Sequence, residues 1–236
     1  LLDLPLADGD PAGRSVPELI HSTYYLKKRP IAPLSTATKF GDVVILKEVA
    51  DDFRAETLVR AMACVSGDEI SVCDHPMTGK AYRECVIDGA ISNALDIGRT
   101  LRKARENGAA AVAEQQCGAV LFRGVVKEAP WECRGGFDCG EILLDGRQDY
   151  EGQSCRIVFK NENLIAYHNG IPVATVPDLI CMIDRNGNPV TNPICELGLE
   201  MTVIVLPAPK PWTTREGLAI LGPKYFDIDE EYIPFD

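Results

Sequence analysis

From about residue 117 the chain becomes a series of short β-branched or alternating runs: "AVLFRGVVKEA", "GFDCGEILL", "SCRIVFKNENLIAYHNG", "IPVATVPDLICMID", "RNGNPV" and "MTVIVLPAP". Asn-Glu-Asn, Asn-Gly and Asn-Gly-Asn turns punctuate them. Alternation places successive side chains on opposite faces, and the turns reverse the chain every few residues. This half is therefore confined to an all-β domain, a small barrel or sandwich.

The part before residue 117 reads differently. "DVVILKEV" (42–49) is a buried strand by its β-branched run, and "EISVC" (69–73) is a second. Between them "DDFRAETLVRAMACVSG" puts Ala55, Leu58, Val59, Met62 and Val65 on one helical face, with Asp51 or Asp52 as N-cap and Gly67 near the C-cap. A second helix has Asp88 as candidate N-cap, with Ile91, Ala94, Leu95, Gly98 and Leu101 recurring at helical spacing. Arg99, Arg102, Lys103 and Arg105 load its C-terminal half, where cations complement the helix dipole, and Gly108 is the expected stop. The predicted class is thus a multidomain α/β (α+β) chain: a partial α/β domain over 1–115, an all-β barrel or sandwich over 116–209, and a tail over 210–236. Aromatics at 225, 226, 232 and 235 are expected to return that tail to the α/β part.

Composition narrows the function classes. The net charge of -11 is spread along the 236 residues with no lysine/arginine stripe, which argues against nucleic-acid binding. No apolar run approaches the ~18–20 residues of a membrane helix, and the N-terminus lacks a basic secretory region. Nine cysteines, odd in number and without a C-x-x-C pair, read as reduced thiols of a cytoplasmic protein, mostly serving as small buried hydrophobes.

Two clusters carry chemistry. In "ADGDPAGRSVPE" Asp8, Asp10, Arg14 and Glu18 lie within eleven residues, held in turns by Gly9, Pro11, Gly13 and Pro17. Such carboxylates could share a proton, hold a hard cation or orient a planar nitrogen heterocycle; Asx-turn chemistry alone also explains the pattern. In "VCDHPMTGKAYREC" Cys73 and His75 are spaced to share a strand face, but two ligands do not make a tetrahedral metal site. The loop following a strand's carboxyl end is nonetheless a favoured place for site residues in α/β folds, which singles out His75. His168, before a hairpin turn, is expected to be an exposed strand-end histidine. No G-x-S-x-G, H-E-x-x-H, P-loop or G-x-G-x-x-G occurs, so serine hydrolase, zincin, NTPase and Rossmann readings lack their residues.

"DGDPAGRSVPEL", "STYYL", "PMTG", "ALDIGR", "FKNENLIA", "VPDLICMID" and "TREGLAILGPKYF" follow one another in an order that resembles the S-methyl-thiohydantoin desulfurase-like family, a group found beside hydantoinases and oxoprolinases. The resemblance spans nearly the whole chain. It lacks the α/β segment that precedes the acidic loop in that family, which implies the distal portion of a longer protein. It also departs at Cys73, Asp74 and His75, so that cluster is not expected to be shared catalytic apparatus. The resemblance implies a hydrolase that releases a thiol from a sulfur-substituted hydantoin ring, a small heterocyclic substrate. Asp8, Asp10 and Glu18 then supply the base or metal ligands, Arg14 orients the ring, and His75 and Thr78 are added as substrate contacts. A divalent metal, zinc, is implied without ligands that can be mapped. Contact with the missing segment or a hydantoinase-like region is implied as well. Two other readings stay open: a non-catalytic assembly module of such a larger protein, and an amide-ring hydrolase with a different leaving group.

Overall fold

The computed structural model describes residues 5–192 and 195–235. The chain divides into two compact units, Leu1–Asn93 and Ala94–Asp236.

The first unit runs β1 (Gly9–Asp10), α1 (Thr23–Leu26), β2 (Leu34–Thr38), β3 (Val43–Leu46), α2 (Asp52–Val65), β4 (Ile70–Cys73), α3 (Gly79–Arg83) and β5 (Ile87–Asp88). Strands β3, β2 and β4 form an antiparallel sheet with β2 in the middle, and β1 pairs with β5. Helix α2 starts because Asp51, rather than Asp52, caps it: its carboxylate accepts from Arg54 N at 2.8 Å. The helix ends at Ser66, and Gly67 follows with φ +75°, a conformation that glycine adopts without steric cost. Ala55 and Val59 of its apolar face close over Ile31 and Leu34 of the small core. Val65, expected on that face, lies in the last turn and is 83% exposed. Glu56, buried on the same helix, accepts from Leu19 N at 2.8 Å and pairs with Arg60 at 2.7 Å, while Arg60 donates to the Pro17 carbonyl at 2.8 Å. Helix α2 thereby fixes the end of the acidic loop.

The second unit contains most of α4 (Ala90–Ala104), then α5 (Gly108–Gln115), β6 (Ala119–Glu128), β7 (Trp131–Arg134), β8 (Phe137–Gly146), β9 (Ser154–Lys160), β10 (Glu162–His168), β11 (Ile171–Thr175), β12 (Leu179–Asp184), β13 (Pro189–Val190), β14 (Glu200–Leu206) and α6 (Arg215–Leu221). The nine strands form one antiparallel sheet in the order β11-β10-β9-β8-β6-β14-β12-β13, with β7 pairing on β8. Its ends are β11 and β13, so the expected barrel does not close among the described residues. Asn163 Nδ2 on β10 does reach the Ile180 carbonyl on β12 at 2.8 Å. The β9–β10 hairpin turns on Asn161 (φ +56°) and the β10–β11 hairpin on Asn169-Gly170 (φ +51° and +79°), the left-handed pair that matches strand twist.

Along β14, Met201, Val203 and Val205 enter the main core with Phe122, Leu144 and Ile157, while Ile204 and Leu206 face Ala109, Val112 and Ala113 of α5. Period-two alternation thus gives this sheet one side that carries the main core and another that α5 covers. Helix α5 packs on the sheet, within the second of the compact units that divide at 93/94. Gly108 does not end a helix either: α4 stops at Ala104, a 3-10 turn spans Arg105–Asn107, and Gly108 opens α5. His168 is half-buried, with Nε2 2.5 Å from Gln153 Oε1 and its ring 5.4 Å from that of Phe122, because it packs on the sheet's face and does not project from the hairpin.

The tail carries Trp212, fully buried, and α6, which Thr214 caps through Gly217 N at 3.0 Å. Of the return expected for this tail, the anchors recorded lie in the sheet unit: Tyr232 Oη donates to Asp178 at 3.1 Å, Phe235 N to Asp178 at 3.2 Å and Ile233 N to Thr175 Oγ1 at 2.9 Å. The nine cysteines are free, and only Cys85, Cys155 and Cys195 are buried; Cys64, Cys73, Cys117 and Cys133 are exposed, against the expectation of small core hydrophobes. Burial pushes the Cys155 thiol up to about 12.

Candidate functional site

The acidic loop is shaped first by its own side chains. Asp10 Oδ1 accepts from Ala12 N at 2.6 Å and from Gly13 N, an Asx turn that Gly13 completes at φ +66°. Both turn bonds fall on Oδ1, so the turn does not consume Oδ2. Pairing of Gly9 with Asp88 brings β5 alongside, and Tyr82 Oη donates to the Gly9 carbonyl at 2.8 Å. A Cβ at Gly9 would sit 3.1 Å from the Ile87 carbonyl oxygen and 3.2 Å from Tyr82 Oη, so only glycine lets these groups approach without a shift.

Beyond the loop, Thr23 N bonds the Pro11 carbonyl at 2.7 Å, and Ser22 Oγ caps α1 by accepting from Tyr25 N at 3.1 Å. That short helix presents Tyr24, whose ring lies 5.0 Å from the ring of His75. His75 is buried, with φ +47°. Its backbone N–H bonds the Ile31 carbonyl at 3.1 Å, Nδ1 is 3.0 Å from Asp74 Oδ1, and Nε2 is 3.8 Å from Asp52 Oδ2. The imidazole lies between two carboxylates, but only Asp74 hydrogen-bonds it, through Nδ1; the buried Nε2, facing Asp52 at 3.8 Å, makes no hydrogen bond among the described residues.

The electrostatics follow from burial. Burial, helped by the neighbouring Tyr82, Asp74 and Asp10, pushes the Tyr24 phenol up to about 12. Tyr82 is raised for the same reason, with Asp10, Asp88 and Asp8 adding to it. Burial also raises Asp52, and the His75 ring partly offsets that. Both phenols therefore keep their protons at neutral pH. Cys85, buried, lies at the edge of this group with Arg29 Nε 3.4 Å from its sulfur.

The residues singled out in the sequence occupy distinct positions. Asp8 is exposed, and both its oxygens bond Ser92: Oδ1 accepts from the backbone N–H at 2.9 Å and Oδ2 from Oγ at 2.7 Å. These bonds hold its carboxyl below the usual range. Asp8, not Asp88, therefore serves the first turn of α4, while Asp88 belongs to β5. Glu18 is half-buried and its carbonyl accepts from His21 N at 3.1 Å; Arg14 Nε donates to the Ser15 carbonyl at 3.0 Å. Thr78 is exposed and caps α3, accepting from Ala81 N at 3.3 Å.

Cys73 is exposed while His75 is buried, so the two do not share a face. The strand before them, β4, lies in an antiparallel sheet, where the crevice rule for parallel strand ends does not apply. Nor do the donors present fit a zinc ion: among the described residues, no three or more His, Cys, Asp or Glu side chains are placed to hold a metal. Tyr24, Tyr82, Asp52 and Asp74 escaped the sequence reading as site residues. The signal for Tyr24 was present, in the "STYYL" run beside the acidic loop.

Residues 1–48 match the model of the S-Me-THD-like N-terminal domain, and residues 50–235 match that of the S-Me-THD-like C-terminal domain. No curated protein matches the chain. A crystal structure of a protein from Chromobacterium violaceum is similar over 100% of this chain and 68% of its own, with a TM-score of 0.80 and 22% identity, a likeness of fold. No helix among the described residues is long and apolar enough to cross a membrane. With residues 1–48 and 50–235 matching the two domain models, the chain belongs to the S-Me-THD-like family.

Proposed function

We propose that this protein hydrolyses S-substituted thiohydantoins, releasing the thiol and leaving the hydantoin. One observation carries the reading: the Asp10 carboxylate is fixed through Oδ1 in a tight turn, within a group that also holds two protonated phenols, Tyr24 and Tyr82.

The reaction needs a base and a proton donor. Water adds to the ring carbon between the two nitrogens, giving up a proton as the C–O bond forms. The C–S bond then breaks, and the sulfur leaves as a thiol once it gains a proton. Asp10 Oδ2 is the base in this scheme, since Oδ1 is already engaged. Tyr24 is the donor, because its raised pKa keeps it protonated and ready to stabilise charge on the ring nitrogen or departing sulfur. His75, buried behind Tyr24 between Asp74 and Asp52, is a positioning residue. Asp8 is assigned to α4 and Glu18 to the loop's frame; Arg14 remains the candidate for orienting the ring. Nine free thiols, four of them exposed, support a reducing, cytoplasmic setting.

The test is thiol release from S-methyl-thiohydantoins by the longest natural protein containing this chain. Asp10→Asn keeps the Oδ1 acceptor of the turn but removes the base, so turnover is expected to fall by ~100-fold or more with the fold intact. Absence of release from every S-alkyl thiohydantoin tried would overturn the proposed activity. Release unchanged in Asp10→Asn would overturn the assignment of the base.

A further inference from the structure

The sheet unit holds a cleft that the chemistry above leaves unused. It encloses about 510 Å³ and adjoins a recess of about 230 Å³, with Arg123, Gln148, Arg185 and Thr202 in the walls of both. Arg147 lines the recess. Three guanidinium groups thus line one concavity in a chain whose net charge is -11.

Strand register brings them there. Arg123 on β6 lies opposite Thr202 on β14, and Gly124 opposite Gly146, the last residue of β8 before Arg147. Asp184, the last residue of β12 before Arg185, lies opposite Met201. Three separate strands therefore deliver an arginine to neighbouring rungs. Gln148 Oε1 accepts from Arg123 Nη1 at 3.3 Å and so orients that guanidinium. Gln148 itself stands at φ +58°, a left-handed conformation that a non-glycine residue rarely takes.

Helix α5 adds to the same field. Asn107, Ala109 and Ala110 at its start line the cleft, and no side chain caps that N-terminus. The positive end of a helix dipole thus faces the space the arginines surround. Against these stand two carboxylates, Glu106 and Glu200, the latter 3.9 Å from Arg185. The arginines outnumber them, and the exposed pair with Glu200 is weak enough to yield to a competing oxyanion.

We infer that this cleft binds a small molecule carrying two or more oxyanion groups, phosphate or carboxylate, across Arg123, Arg147 and Arg185. Planar guanidinium forks match both chemistries bidentately, and three of them can engage more oxyanion oxygens than a single anionic group presents to one fork. The inference is independent of the thiohydantoin reaction.

Calorimetric titration of the whole protein at low ionic strength tests it with pyrophosphate, inorganic phosphate and glutarate as probes. Saturable binding is expected for at least one two-ended probe, tighter than for inorganic phosphate. Preference for pyrophosphate marks a phosphate-bearing ligand, and preference for glutarate marks a dicarboxylate. Arg123→Gln and Arg185→Gln are each expected to weaken that binding by about ten-fold or more, since each removes a charge-assisted contact. Arg102→Gln and Lys103→Gln, on exposed positions of α4 outside the cleft walls, should leave it unchanged. If Arg123→Gln unfolds, Arg185→Gln decides, because Arg185 is exposed and its recorded ion pair is the distant one with Glu200. Lack of saturable binding by all three probes, or equal weakening in the α4 variants, would overturn the inference.

Discussion

Tyr24 concentrates what burial does to a single side chain. Its phenol packs against His75 and is raised to about 12, from the ordinary tyrosine value of 10.0. A raised folded-state pKa contributes stability that is complete below the unfolded value and is lost as pH rises through the folded one. Wild-type protein should therefore lose stability between pH 10 and 12 beyond what a Tyr24→Phe variant loses. Denaturant midpoints measured across that window check this, and parallel pH profiles for the two proteins would contradict the placement of Tyr24. At this scale the sequence was partly legible. The Asx turn of Asp10 was readable from Asp-x-x-Gly spacing, because its donors lie two and three residues away. The environment of His75 was not, since Asp52 and Tyr24 come from other elements and adjacency to Cys73 suggested the wrong partner.

Among elements, α4 depends on a residue far from it in sequence. Its first turn is served by Asp8, 84 residues before Ser92, whereas local spacing pointed to Asp88. Asp8 is depressed below 3.8 by these bonds, so its contribution is complete above that value and is lost as pH falls through the lower folded pKa. On acidification from about pH 5 to pH 3, Asp8→Asn should show a shallower fall in melting temperature than wild type. Identical acid limbs would remove Asp8 from this role. Helix α2 contrasts with α4: its cap, Asp51, lies three residues from the N–H it binds, and sequence reading placed it correctly to within one residue.

For the whole molecule, one side of the sheet carries the main apolar cluster, in which Phe122 is fully buried together with Leu144, Ile157 and Val203. Phe122→Ala removes a ring that close-packed neighbours cannot replace and should cost about 3–5 kcal/mol. Urea unfolding followed by tryptophan emission reports on this unit, because Trp131 and Trp212 both belong to it. A loss below about 1 kcal/mol would mean that the core is looser than its burial indicates. The sequence by itself determined the elements: β-branched alternation makes strands, Asn-Gly pairs turn them, and caps a few residues away start most of the helices. These signals are local, so they survive without knowledge of the fold. Tertiary structure alone decided that nine strands form one open sheet, that α5 belongs to it, that His75 sits between Asp74 and Asp52, and that three arginines from separate strands share a cleft. Each of those depends on which elements pack together or pair, and the strand order and register behind the sheet and its arginines bring together residues whose separation along the chain leaves no periodic trace.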